Sequence, residues 1–266
     1  MKKIKLSVVL AVYNEEANLA RCLESVKDIA GEIVIVDGGS TDKTVEIAKR
    51  FKAKIIRTDN PPNFHINKNK AIDAAAGEWI LQLDADEVVS PELSREIKSI
   101  TYNLKPNHYA GYWLNRKNWF LDRFLTKGGQ YPDPTLRLYR RGMGRLPAID
   151  VHEQARVNGP TSHLKSDLLH YRDTDFARYL SGFNLYTTFI AEQLRQQEIH
   201  FNLSNVFLYL CFKPLSTFLK IYFRHRGYVD GFPGLVFALY SGLVHPVSFI
   251  KFWQKTFYPD QYSKKL

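Results

Sequence analysis

The chain has 266 residues, 45% of them hydrophobic, enough for one large domain or one domain with an appendage. Its formal net charge of +10 suits nucleic acid, an anionic membrane or phosphorylated substrates; with no recognisable nucleic-acid motif and no basic arm, nucleic acid is set aside as a partner. Only two cysteines are present, Cys22 and Cys211, both in apolar helix-like stretches, which excludes a disulfide framework or zinc site and leaves buried packing thiols of an intracellular protein as the expectation.

The first hundred residues alternate between two periods. The opening run from Met1 to Leu10 has the look of a signal peptide, but its apolar part is short and Asn14-Glu15-Glu16 follows where small residues belong, so it reads as a first buried strand, Leu6 to Val12. Asn18 to Ala30 carries Leu19, Cys22, Leu23 and Val26 at helical spacing. Ile33 to Val36 is a continuous buried strand, and Ser40-Thr41-Asp42 caps a helix running to Phe51. A third strand spans Ala53 to Arg57, a helix from Asn67 to Ala76 ends at Gly77, a fourth strand runs from Trp79 to Leu83, and Pro91 opens a helix to about Tyr102. This rhythm predicts an α/β fold with a mainly parallel sheet and helices on both faces, which binds ligands beyond the carboxyl ends of its strands.

From Tyr109 the pattern changes. Tyr112 to Leu114, Thr135 to Tyr139 and His152 to Val157 alternate like strands between glycines and prolines, as an antiparallel addition covering the active face. Phe176 to Gln197 reads as one amphipathic helix. Residues 203–258 then hold six Lys or Arg and a single acid, Asp230. Phe232 to Ile250 lacks charge but carries Pro233, Pro246, His245 and two glycines; an interfacial amphipathic hairpin or a buried helix pair suits it better than a membrane span. The expected division is 1–108 as the α/β ligand-binding half, 109–174 as the second half of the same domain, and 175–266 as a helical, basic and aromatic membrane-proximal extension.

The chemistry concentrates at strand ends. Leu81-Gln-Leu-Asp-Ala-Asp-Glu87 runs from a buried strand into two carboxylates, Asp84 and Asp86, whose cost is lifted by a cation; a divalent metal holding a diphosphate suits their hard oxygens. The alternatives are a solvated turn or a cap before Pro91. Asp37 ends the second strand before Gly38-Gly39, and either binds a base or ribose or closes an Asx-turn. Tyr13, after the first strand, either stacks on a nucleobase or is a half-buried strand aromatic. Lys68 and Lys70 flank Asn69 at a helix start and suit phosphate, as surface lysines also do anywhere. Glu153 is the candidate base that deprotonates an attacking hydroxyl, with Asp150 in reserve; an ion pair with Arg145 or Arg156 is the other reading. His170 is a candidate third metal ligand or a structural histidine.

Val8-Val-Leu-Ala-Val-Tyr-Asn-Glu15, Val36-Asp-Gly-Gly-Ser-Thr-Asp42 and Leu83-Asp-Ala-Asp-Glu87, in this order and spacing, resemble the family 2 glycosyltransferases of the GT-A fold. Val151-His-Glu153, Leu169-His-Tyr171 and Arg226-Gly-Tyr-Val-Asp-Gly-Phe-Pro-Gly234 resemble a subgroup, the lipopolysaccharide core β-glucosyltransferases of the WaaE type. The resemblance implies an inverting, metal-dependent hexosyltransferase using Mg²⁺ or Mn²⁺. Its nucleotide-sugar donor, a UDP-sugar foremost, would be lined by Ala11, Tyr13, Glu15, Asp37, Lys68, Asp84 and Ala85, and its metal held by Asp86 and His170. Lys68 stands where many relatives place an arginine, keeping the charge without the bidentate fork. The implied acceptor is a glycolipid or lipid-linked saccharide at an anionic membrane surface, on the cytoplasmic face of the plasma membrane. A transferase acting on a polyprenyl-phosphate carrier, a sugar-phosphate nucleotidyltransferase and a non-catalytic scaffold are the competing readings. The nucleotidyltransferase calls for a Gly-rich phosphate loop where Asn14-Glu15-Glu16 stands.

Overall fold

A computed structural model describes residues 4–102, 108–148 and 154–258. Two compact units emerge: residues 1–117 with 132–171, and residues 118–131 with 172–266.

In the first unit, β1 (Leu6–Val12), α1 (Leu19–Val26), β2 (Glu32–Asp37), α2 (Thr44–Arg50), β3 (Lys54–Arg57), α3 (His65–Asp73) and β4 (Trp79–Gln82) follow the alternation of the sequence. β1 lies parallel to both β2 and β4, and β2 parallel to β3. Successive side chains of β1 face opposite ways. Leu6, Val8 and Leu10 pack with Leu19, Cys22, Leu23 and Val26 of α1, while Val9 packs with Ala71 and Ile72 of α3 on the other face. Helices therefore cover both faces of this sheet.

Beyond β4 come β5 (Glu87–Val89), α4 (Pro91–Thr101, capped by the Ser90 hydroxyl), β6 (Gly111–Phe120), β7 (Arg123–Phe124), β8 (Asp133–Arg140), β9 (Gly144–Arg145), β10 (Arg156–Val157) and β11 (Thr161–Asp173). The antiparallel strands do not form a layer over the active face. They extend the same sheet sideways, in the order β3-β2-β1-β4-β8-β6-β11-β5, because the free edge of β4 accepts β8 through Trp79–Arg140 and Leu81–Leu138 pairing. β9 and β10 form a separate two-stranded ladder. Gly77 does not end a helix, since α3 stops at Asp73; a Cβ there would lie 2.7 Å from the Ser7 amide nitrogen, so glycine is needed for close approach to β1.

The second unit contains α5 (Phe176–Gln196), capped by the Asp175 carboxylate. A helix from Leu203 to Arg224 follows, made of α6 (Leu203–Phe207), a π-helical segment (Leu208–Phe212), α7 (Lys213–Leu219) and a second π-helical segment (Lys220–Arg224). A 3₁₀ turn (Gly227–Asp230) leads into α8 (Gly231–Phe257). Phe232 to Ile250 is thus neither a hairpin nor a helix pair but part of one helix. Pro233 falls in the first turn, where a missing N–H costs nothing, and Pro246 is carried by a helix anchored through buried Ala238, Gly242, Phe249 and Phe252. Cys211 is exposed rather than buried, because it falls on the open side of the preceding helix; only Cys22 is a core thiol. By length and composition, Leu203–Arg224 and Gly227–Phe257 are each apolar enough to cross a membrane.

Asp230 ties this unit together. Its buried carboxylate accepts the Thr126 N–H at 3.0 Å, the Thr126 hydroxyl at 2.6 Å and the Lys127 N–H at 2.8 Å. Arg226 and Gly231 adopt positive φ values of 60° and 66° on either side, which bends the chain to present it. Asp230→Ala leaves these donors without a partner and is expected to destabilise the second unit by about 3 kcal/mol. Guanidinium unfolding followed by near-ultraviolet circular dichroism reads the loss, and Asp230→Asn, which keeps one acceptor oxygen, should recover part of it.

Candidate active site

The loops after β1 and β2 are laced together. The Asn14 N–H donates to the Ser40 hydroxyl (2.9 Å) and the Asn14 side-chain oxygen accepts the Thr41 N–H (2.8 Å). The Glu15 N–H donates to the Thr44 hydroxyl (2.7 Å), and Asp42 accepts from the Glu16 and Thr44 amides. Asn14 takes a positive φ of 53° to make this turn, which leaves Tyr13 exposed beside it. Ala11 is half-buried at the end of β1, and the Glu15 carboxylate accepts from the Asn18 amide at 2.9 Å. Asp37, buried at the end of β2, accepts the Ser40 N–H at 3.2 Å, so its carboxylate closes the turn named as its alternative role.

Asp84 lies at the neighbouring strand end. The turn from Asp84 to Glu87 is self-locked: the Asp84 N–H donates to the Glu87 carboxylate (2.9 Å), and the Glu87 N–H to the Asp84 carbonyl (3.0 Å). Ala85 points the other way, into the apolar core with Leu83 and Leu93. Lys68, buried on α3, reaches one Asp84 oxygen at 2.5 Å, while Arg137 reaches the other at 2.6 Å and Glu87 at 2.7 Å. Arg116 extends the network, bridging Glu87 at 3.8 Å and Asp133 at 2.7 Å. Packing around Asp84 alone raises its pKa, but the Arg137 and Lys68 cations more than reverse this and hold the carboxyl far below the usual range. Burial likewise lowers the Arg137 pKa by itself, and Asp84 and Glu87 outweigh it, so the guanidinium stays charged. The Arg137 Nε–H is buried with no acceptor among the described residues.

Asp86 and His170 meet through strand pairing. β11 runs antiparallel to β5 with His170 opposite Glu87, and the Tyr171 N–H donates to the Asp86 carbonyl at 2.9 Å. This brings His170 Nε2 to 3.4 Å from the Asp86 carboxylate. Burial opposes the Asp86 charge, and the hydrogen bond from His170 leads the effects that lower its pKa. The Arg21 guanidinium stacks 3.9 Å over the Tyr171 ring and closes this corner. Among the described residues, no three His, Cys, Asp or Glu gather as a ready metal cage.

Of the two lysines on α3, only Lys68 joins the cluster; Lys70 is exposed and donates to the Thr58 hydroxyl at 2.6 Å. Asp150 and Glu153, the candidate bases, and His152 lie outside the described residues. Their described flanks are anchored. Asn69 brackets Leu146 by donating to its carbonyl (2.9 Å) and accepting its N–H (3.1 Å), and the Asn63 amide donates to the Ala148 carbonyl (2.9 Å). On the far side the Gln154 amide oxygen accepts from the Thr135 hydroxyl at 3.0 Å.

Arg137 and Glu87 carry roles that sequence reasoning does not assign. Arg137 sits in an alternating strand whose two faces are both buried, and a charge in such a strand demands a partner. That demand is a signal, but it does not name the partner, which lies 50 or more residues away.

Residues 7–152 match the family described as Glycosyl transferase family 2. An uncharacterized glycosyltransferase of Rickettsia typhi is 31% identical over 244 residues, covering 87% of this chain and 81% of that protein. The lipopolysaccharide core biosynthesis glycosyltransferase LpsC of Rhizobium meliloti is 28% identical, covering 89% and 90%. Among solved structures, the mannosyltransferase PcManGT of Pyrobaculum calidifontis, in complex with GDP-Man and Mn²⁺, aligns over 95% of this chain and 88% of its own with a TM-score of 0.51 at 12% identity, a likeness of fold alone. With three motifs at three strand ends of a mixed sheet, the chain belongs to glycosyl transferase family 2 and has the GT-A fold.

Proposed function

We propose that this glycosyltransferase moves a hexose, glucose foremost, from a nucleotide-diphosphate donor to a saccharide hydroxyl of lipopolysaccharide core or another cell-envelope glycan, inverting the anomeric carbon. The meeting of Asp84 and Asp86 with Lys68, Arg137 and His170 beyond one strand end carries this conclusion. The core-biosynthesis relative supports the acceptor class, and a protein of the same fold in complex with GDP-Man and Mn²⁺ supports the donor class. A UDP-sugar is the preferred donor, and the acceptor is a glycolipid or lipid-linked saccharide on the cytoplasmic side of the plasma membrane.

Asp86 and His170 would supply one oxygen and one nitrogen donor side by side, a pair that would suit Mg²⁺ or Mn²⁺. Asp84 is not available as a ligand while Lys68 and Arg137 hold both its oxygens. When bound, the cation supplies positive charge at the diphosphate. Lys68 and Arg137, paired with Asp84 and Glu87, fix the acidic turn at the same strand end, where negative charge grows on the leaving group. Asp37 and Tyr13 flank the nucleoside, and Ala11 and Glu15 shape the loop beside it. The core-facing Ala85 side chain keeps the backbone of the acidic turn in place. Glu153, with Asp150 in reserve, takes the acceptor proton as the acceptor oxygen attacks the anomeric carbon. The bond to the diphosphate breaks with its electron pair leaving on the nucleoside diphosphate.

A thermal-shift screen of nucleotide sugars with and without Mn²⁺ tests the donor, since only a ligand of the folded state raises the melting temperature. Asp86→Ala should lose the Mn²⁺-dependent part of that shift, and an unchanged metal response would remove Asp86 from the site. Glu153→Gln should keep the donor shift and lose about 10²–10⁴-fold in turnover; retained turnover would pass the role to Asp150. Lys68→Ala should weaken nucleoside diphosphate binding by about tenfold or more, measured by calorimetric titration.

A further inference from the structure

Along the helix from Leu203 to Arg224, apolar residues recur at every fourth position: Leu203, Phe207, Cys211, Leu215, Leu219 and Phe223. All six are exposed, Leu203 at 85% and Phe207 at 62%. In a uniform α-helix a four-residue repeat drifts about 40° per step, and six positions would wind about 200° around the axis. Two π-helical segments counter the drift. The Lys213 N–H bonds to the Leu208 carbonyl five residues back, and the His225 N–H to the Lys220 carbonyl at 2.9 Å. Each wide turn takes up extra residues and brings the repeat back toward one side. The six side chains thus form a single open apolar stripe.

The charge along one edge of this stripe is all positive. Lys220 and Arg224 each follow a stripe residue directly and border one edge. Neither they nor Arg226 makes an ion pair among the described residues. The only acid between residues 203 and 258, Asp230, is buried and fully used by Thr126 and Lys127. Lys213 turns to the other side and sits 3.6 Å from the Tyr209 ring centroid.

We propose that the stripe from Leu203 to Phe223 lies flat in the headgroup region of an anionic bilayer, as an in-plane anchor that holds the enzyme where a glycolipid acceptor is presented. The proposal deepens the membrane-surface part of the function above. An apolar face edged by unpaired cations matches an anionic lipid surface in both hydrophobicity and charge. The helix lies along the membrane rather than across it, because Lys213 falls at its middle, where a span would place a charge at the hydrocarbon centre.

The intact protein supplies its own probe, since Cys211 is the exposed thiol of the stripe and Cys22 is buried. Cys211 labelled with a polarity-sensitive fluorophore should shift to the blue with vesicles containing phosphatidylglycerol, less with pure phosphatidylcholine, and less again at high salt. A shallow lipid-borne quencher should quench it more than a deep one. The double variant Leu215→Asp/Leu219→Asp, altered only at exposed positions, should co-sediment with anionic vesicles about tenfold less or weaker while keeping wild-type melting and donor binding. Three outcomes overturn the proposal: undiminished co-sedimentation of the variant, stronger quenching from the bilayer centre, or a vesicle-indifferent wild type that is a dimer in sedimentation velocity and a monomer as the double variant. None of them disturbs the transferase reading, which the Mn²⁺-dependent donor shift tests separately.

Discussion

Asp84 holds one cation on each oxygen, and the acidic turn takes its shape from that pairing. A carboxylate at the end of a buried strand is costly without compensation. Lys68 from α3 and Arg137 from β8 provide it, and Glu87 locks the same turn from within while sharing Arg137. Three elements far apart in the chain are thereby fixed at one point. Removing either cation leaves buried charge behind, which costs more than the net worth of the pair. The same pairing leaves Asp86 as the acid that turns toward His170, so two carboxylates one residue apart receive different tasks.

The parallel part of the fold is legible in the sequence because its signals are local. β1, β2 and β4 are short apolar runs bounded by turn residues, α1 and α4 show clear apolar spacing, and α4 adds a serine cap and a proline at its start. What escapes is structure made by distant pairing. β5 has only three residues and no period to detect, and it exists because β11 lies beside it. The antiparallel strands alternate visibly, but nothing local says whether they stack on the sheet or extend it; the open edge of β4 decides.

The site follows the same division. Strand-end acids can be picked out because acids rarely follow apolar runs without a reason, whereas their partners cannot. Arg137 looks like any charge in an alternating strand until β8 is placed beside β4. The exposure of Cys211 is equally hidden, since an apolar neighbourhood in sequence reads as core whether or not anything packs against it.

The carboxylate of Asp230 reaches back 104 residues to Thr126. The second unit is therefore discontinuous: residues 118–131 are synthesised long before the helix that receives them. On the ribosome the β6–β7 turn can pair locally, but the Thr126 and Lys127 amides must wait until Asp230 emerges. Completion of this unit is a late event of biogenesis, and a ribosome that stalls before Asp230 releases a chain whose Thr126 and Lys127 donors lack their carboxylate.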